Sequence, residues 1–306
     1  MSLLLNYARA NKLNIRVADL GAGMHWGDTV DGSYRPLYDA GVCTPILFEP
    51  LRDSAAKLRD FFRGKVEVID KAVGDGHDWN FYETNSPAAS GCFLPNCQLV
   101  NELNWFDEPL QIIQTHRLKT VTLDEIFGNS PIDFLKMDIQ GLEKIVIDSS
   151  PLTLSRLCVV HSEVDFLELY KGQPLFGDIV QSLAAQGFTF HTFVSLQTGT
   201  LHPFRNRSPI EHHFHKRKFW PKQAICALGV FVRTNFESFN GSSDDFIKAA
   251  LIMDEVYQSY DMAYRLLKQR DIKYGGMLAA EYLQWVKSMP EANQNGWEIL
   301  PDVPRT

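Results

Sequence analysis

Short apolar runs alternate with longer amphipathic stretches through the first two thirds of the chain. Residues 14–20, 44–50, 65–70, 132–138 and 157–163 each hold a run of apolar or alternating positions of strand length. Residues 2–11 read as a short helix. Leu51, Ala55, Leu58 and Phe62 recur at helical spacing between the second and third runs. This alternation predicts an α/β fold with a mainly parallel sheet. Residues 188–193 and 229–233 read as two later strands that pair at the sheet edge.

Beyond residue 240 the pattern becomes helical. Ser242-Ser243-Asp244-Asp245 supplies N-cap residues and acids suited to a helix start. Phe246, Ala250, Met253, Tyr257, Tyr260, Ala263 and Leu267 predict one long amphipathic helix, broken at Gly275-Gly276. Leu278, Tyr282 and Trp285 mark a second, shorter helix. The expected organisation is therefore a main domain over 1–240 and a helical extension over 241–306, with a polar tail from Pro290.

Composition narrows the function classes. The chain has 306 residues, 45% of them hydrophobic and 22% charged, which is enough apolar material for a sizeable core. The net charge of −7 argues against a nonspecific nucleic-acid binder. No apolar run reaches the roughly 18–20 residues of a membrane span, and the N-terminus lacks the basic flank of a signal peptide. The five cysteines are scattered. Cys92 and Cys97 have no second pair at zinc-ligand spacing, so no metal is assigned. Free thiols fit a reducing cytoplasm.

The most informative segment is Asp19-Leu20-Gly21-Ala22-Gly23, a glycine loop at the end of the first strand. Such a loop lets the backbone approach a ligand closely. The next glycine is Gly27, one position beyond the dinucleotide fingerprint. A pyrophosphate placed near Asp19 would be repelled, whereas a cationic ligand would not. Glu49 ends the second strand, where an acid can accept hydrogen bonds from a ribose diol; capping the next helix through Pro50 is its plainer use. Lys136 and Asp138 share a face of the fourth strand, and His161 and Glu163 a face of the fifth. If those strands are neighbours, Asp138, His161 and Glu163 converge where ligands bind in open α/β sheets. The plainer alternative pairs Lys136 with a carboxylate and buries His161 with a hydrogen bond. Glu211-His212-His213-Phe214-His215-Lys216-Arg217-Lys218 is a basic cluster that reads first as a solvated loop.

Several of these pieces together resemble the FkbM family of S-adenosylmethionine-dependent methyltransferases. They are Asp19 to Gly23, Phe48-Glu49-Pro50, Ala72-Val73-Gly74-Asp75, Val121-Thr122-Leu123-Asp124-Glu125, and the segment from Asp133 to Glu143 that contains K-x-D-x-x-G-x-E. His161 to Val164, Tyr170 to Phe176 and Leu228 to Arg233 match as well, so the resemblance covers about residues 15–235. Members often carry Gly-Ala-Asn where this chain has Gly21-Ala22-Gly23, and smaller residues where it has Met24-His25-Trp26. The resemblance implies a class I fold: a seven-stranded sheet, helices on both faces, the last strand antiparallel. It implies S-adenosylmethionine as cofactor and O-methylation of a small-molecule acceptor, a sugar or another hydroxylated metabolite. Asp19, Gly21, Ala22 and Gly23 would line the methionine end. Glu49 and Pro50 would meet the ribose, and Asp70, Lys71 and Ala72 would flank adenine. Asp138 would lie between cofactor and acceptor, with His161 the base by residue type and Asp138 or Glu163 the alternative. A nicotinamide-dependent oxidoreductase and a catalytically idle binding module are the competing readings.

Overall fold

The computed structural model of the protein describes residues 2–23, 32–103, 109–203, 223–236, 239 and 241–290. Among the described residues there are ten strands: β1 (Ile15–Leu20), β2 (Cys43–Phe48), β3 (Glu67–Ile69), β4 (Ala72–Val73), β5 (Asp78–Thr84), β6 (Ile112–Val121), β7 (Phe134–Met137), β8 (Val159–Asp165), β9 (Phe188–Gly199) and β10 (Gln223–Arg233). Seven form one sheet in the order β3-β2-β1-β7-β8-β10-β9. All its pairings are parallel except those of β10, which runs antiparallel to both β8 and β9. The strand order reverses beside β1, so the carboxyl ends of β1 and β7 border a crevice, the topological position for a ligand in such sheets.

The central strands are buried on both faces, which is why they read as nearly continuous apolar runs. One face packs Ala18, Leu20, Leu135, Met137 and Val160 beneath α5 (Leu123–Phe127), α6 (Glu143–Ser149), α7 (Pro151–Leu154) and α8 (Phe176–Ala185). The other face packs Val17, Phe134, Val159, Val230 and Val232. Its cover comes from α1 (Leu3–Ala10), α2 (Arg35–Asp39) and α3 (Arg52–Phe62), together with α9 (Ser243–Glu255). Arg233 closes the lower edge. Its buried guanidinium donates to the carbonyls of Leu157, Leu154 and Gln186.

Two expectations change. The long C-terminal helix is two, α9 and α10 (Tyr260–Tyr274), with Gln258 in the left-handed region at φ +51° between them. Ala249 to Met253 are all buried in α9, so this helix is apolar around its circumference, not along one stripe. It is held between the sheet and α10, and one straight rod would leave one of those sides in water. Residue 240 therefore marks a change of sequence pattern without a break in packing, since Phe246, Ile247, Ala250 and Leu251 share a core with Val17 and Phe134. The Gly275-Gly276 break and α11 (Leu278–Lys287) stand where expected.

The second difference is a small sheet, β4-β6-β5, which sequence patterning did not reveal. It lies within residues 72–121, which also hold α4 (Cys97–Glu102). Among the described residues no helix is long and apolar enough to cross a membrane.

Candidate active site

A cavity of about 1080 Å³ opens where the carboxyl ends of β1, β2, β7 and β8 meet the small sheet. Asp19 to Gly23, Glu49, Pro50, Lys71, Ala72, Asp138 and Glu163 all line it. Phe81, Glu83, Gln114, His116 and Leu118 of β5 and β6 supply the facing wall.

The β1–β2 half is fixed by short-range geometry. Gly21 takes φ +80°, and a Cβ there would lie 1.9 Å from the carbonyl oxygen of Asp138. Only glycine lets the first loop cross β7 this closely. The Gly21 and Ala22 amides both donate to the Phe48 carbonyl, tying this loop to the end of β2. Glu49 is 5% exposed, and its Oε1 accepts from the Leu51 amide at 2.8 Å. The helix α3 begins at Arg52 with Leu51 as its N-cap, so Pro50 is not its first residue; Glu49 holds the Leu51 amide just ahead of it and also lines the cavity. Burial pushes its carboxyl up to about 7, against a lowering by the Leu51 hydrogen bond.

Asp19 is fully buried, and its carboxylate is already engaged. Lys136 Nζ donates to Oδ1 at 2.9 Å, and the Tyr34 hydroxyl donates to Oδ2 at 2.8 Å. Desolvation raises the Asp19 pKa while Lys136 opposes the rise. The plainer reading of Lys136 thus holds: it neutralises the acid at the end of β1. Asp70 departs from expectation. It does not line the cavity and instead lies 3.5 Å from Arg59 of α3 on the surface, leaving Lys71 and Ala72 at that wall.

The β7–β8 half is a polar cluster assembled over long sequence distances. Gln140 Nε2 donates to Asp138 Oδ1 and to Glu163 Oε2, each at 2.7 Å, while its Oε1 accepts from the Tyr170 hydroxyl. Gln140 adopts φ +55°, unusual for a side-chain-bearing residue. Gly91 makes room for it, because a Cβ on Gly91 would come within 2.8 Å of Gln140 Cβ. Glu143 accepts from the Ile139 amide, and Gln173 donates to Asp165 Oδ2. Burial raises Glu143 to about 8 and Asp165 to about 7. Glu163 is raised well above the carboxylate range, by burial first and then by Asp138, Asp165 and Glu143.

His161 is separated from this group. It pairs in register with Lys136, lower on β8 than Glu163, and is 1% exposed. Its Nδ1 lies 2.9 Å from the Tyr257 hydroxyl in the turn after α9, and it is not on the cavity wall. Burial and Lys136 lower its pKa to about 3. The shared strand face placed it with Glu163, but the C-terminal helices cover that stretch of the face. His161 is thus a core histidine here, and its expected role as base is not carried forward. A different histidine reaches the cavity: His116 Nε2 lies 2.7 Å from Glu83 Oε2, and both residues line the wall. No motif surrounds either one. Met24-His25-Trp26, Gly27 and the basic cluster Glu211 to Lys218 lie outside the described residues.

The strand order, the antiparallel β10 and the cavity at the reversal point are consistent with a methyltransferase fold. The model of the methyltransferase FkbM domain matches residues 17–190, and the chain belongs to that family of methyltransferases. No curated protein matches the chain.

Proposed function

We propose that this methyltransferase uses S-adenosylmethionine to methylate a hydroxyl of a small molecule, a sugar or another specialised metabolite. The observation that carries this reading is one cavity with a buried ribose-type acid, Glu49, at one end and the acids Asp138 and Glu163 at the other. When bound, the sulfonium supplies an electrophilic methyl group, so alignment of the acceptor provides most of the catalysis. Glu49 accepts from the ribose diol, Lys71 and Ala72 border the adenine, and the Gly21–Gly23 loop borders the methionine portion. The engaged Asp19 holds that loop's strand in place through Lys136. Proton removal falls to groups on the cavity wall. Glu83 accepts from His116 Nε2–H and orients the ring so that Nδ1 takes the acceptor's proton, the arrangement of a histidine–carboxylate dyad; Asp138 is the second such group.

The test is a methyl-donor assay over sugars, sugar nucleotides and hydroxylated metabolites, read by mass, with S-adenosylhomocysteine binding followed by thermal shift. Gain of one methyl on a hydroxyl is expected, with a raised melting temperature because ligand binds only the folded chain. Folded protein with no shift at saturating ligand would overturn the cofactor assignment. A shift accompanied by methyl transfer only to nitrogen, carbon or sulfur would overturn the acceptor class.

A further inference from the structure

At the acceptor end of the cavity, Glu163 belongs to a donor set whose other two members, Asp165 and Cys226, the methyl-transfer reading does not use. Glu163 and Asp165 stand two residues apart on β8, and Asp165 pairs in register with Cys226 of the antiparallel β10. A carboxylate oxygen of each acid and Cys226 Sγ all lie within 4.8 Å of one another. Opposite ligands held at about 2.0–2.3 Å from one ion are separated by at most about 4.6 Å, so the three atoms stand close to the span of a single coordination sphere.

A second observation points into the same spot. Asp165 is 5% exposed; Gln173 holds its Oδ2, and its Oδ1 has no hydrogen-bond partner. A buried carboxylate oxygen without a partner costs stability unless something occupies its lone pairs. Gln140 donates to Glu163 and Gln173 to Asp165, and Glu163 also shares hydrogen bonds with Asp138 and with the Cys226 thiol, so Asp165 Oδ1 is the one oxygen of the two acids that is buried without a partner. No salt bridge among the described residues involves either acid. Glu163 and Cys226 border the cavity while Asp165 lies behind them, which gives an ion a path inward. Gln140 ties this group to Asp138, which also lines the cavity.

We propose that Glu163, Asp165 and Cys226 bind one divalent transition-metal ion, manganese or zinc, at the acceptor end of the cavity. Two carboxylates alone would suit magnesium, but the thiol shifts the preference towards softer ions. Bound there, the ion has an open side towards the cavity, where acceptor oxygens can coordinate and be oriented. The ion site rests on the cavity being the reaction site for its role, but on the three donors alone for its existence.

The experiment uses the metal alone on the full chain without cofactor. Manganese is titrated and read by electron paramagnetic resonance, and cobalt is added as a spectroscopic stand-in for zinc. One manganese per chain is expected, with a thiolate-to-cobalt absorption band. Asp165→Asn should weaken manganese binding tenfold or more, and Cys226→Ser should abolish the cobalt band. The band in wild-type protein requires no variant to fold. Absence of stoichiometric manganese binding, absence of the band, or unchanged affinity in folded Asp165→Asn would overturn the proposal. S-adenosylhomocysteine binding is measured in parallel. Its persistence without metal binding removes the ion and leaves the proposed function standing; its loss with metal binding intact does the reverse.

Discussion

The two ends of the cavity are built in different ways. At the β1–β2 end, Glu49 to Leu51 are placed by near neighbours, and Asp19 to Gly23 by the registers of β1 with β2 and with β7. At the β7–β8 end, the positions of Asp138 and Glu163 depend on Gln140, Tyr170, Gln173, Gly91 and Cys226, drawn from four separate segments. The first construction tolerates little local change, which suits the proposed cofactor, a ligand common to many acceptors. The second can be retuned one segment at a time, as an acceptor site requires. Charge follows the same division: Asp19 is neutralised by Lys136, whereas the acids of the second end are hydrogen-bonded mainly to amides.

The largest effect should come from the ion pair joining the two ends. Lys136→Met leaves the buried Asp19 carboxylate without its ammonium, and such losses cost about 3–5 kcal/mol. A large fall in melting temperature is expected, with partial recovery when Asp19→Asn is added. Equal stability of the single variant and wild type in chemical denaturation would show that the pair does not brace this edge. Next, His116→Ala should lower turnover about 10²–10⁴-fold while S-adenosylhomocysteine affinity stays near wild type. An effect on cofactor affinity alone would place His116 at the wrong end of the cavity.

Glu49 sharpens the comparison through pH. In the folded chain its carboxyl keeps its proton up to about 7, against an ordinary value near 4.5. The folded state therefore holds a proton that the unfolded chain has released. Its contribution to stability is complete below pH 4.5, is lost as pH rises to about 7, and is flat above. Glu49→Gln should remove that loss, worth about 3 kcal/mol, and make the ligand-free protein more stable at pH 8. Urea titrations at several pH values read this directly, and identical pH profiles for variant and wild type would contradict it. The smallest effect is expected at His161. His161→Leu removes the bond between Nδ1 and the Tyr257 hydroxyl, a cost of about 1–3 kcal/mol, but also removes a buried Nε2 that has no partner; the net loss of stability should be small, and turnover per folded molecule should stay within a few fold.

What could be read from sequence divides along the same line. The five apolar runs and the glycine loop lie in segments where one pattern determines one element, so β1, β2, β7 and β8 and the residues at their ends were legible. Asp70 was misplaced because strand alternation does not say which way a residue just past a strand end turns, and Arg59 draws it outward. His161 was misplaced for another reason. Period-2 alternation gives the face of a strand, but not what covers that face, and here Tyr257, 96 residues later, covers it. The His116–Glu83 pair depends on an antiparallel pairing of β5 with β6, and that register is set by tertiary packing and not by any local motif. Cys226 reaches Asp165 only through β10 folding back between β8 and β9.

The central claim is that one end of the cavity holds the cofactor and the other holds the acceptor. Calorimetric titration of S-adenosylhomocysteine into wild type, Glu49→Ala and Glu163→Gln tests it most directly. Hydrogen bonds to a charged group contribute roughly 1.5–3 kcal/mol, so Glu49→Ala should bind at least about tenfold more weakly. Glu163→Gln should bind within a few fold of wild type. Unchanged affinity in folded Glu49→Ala, together with loss of binding in folded Glu163→Gln, would contradict this division of the site.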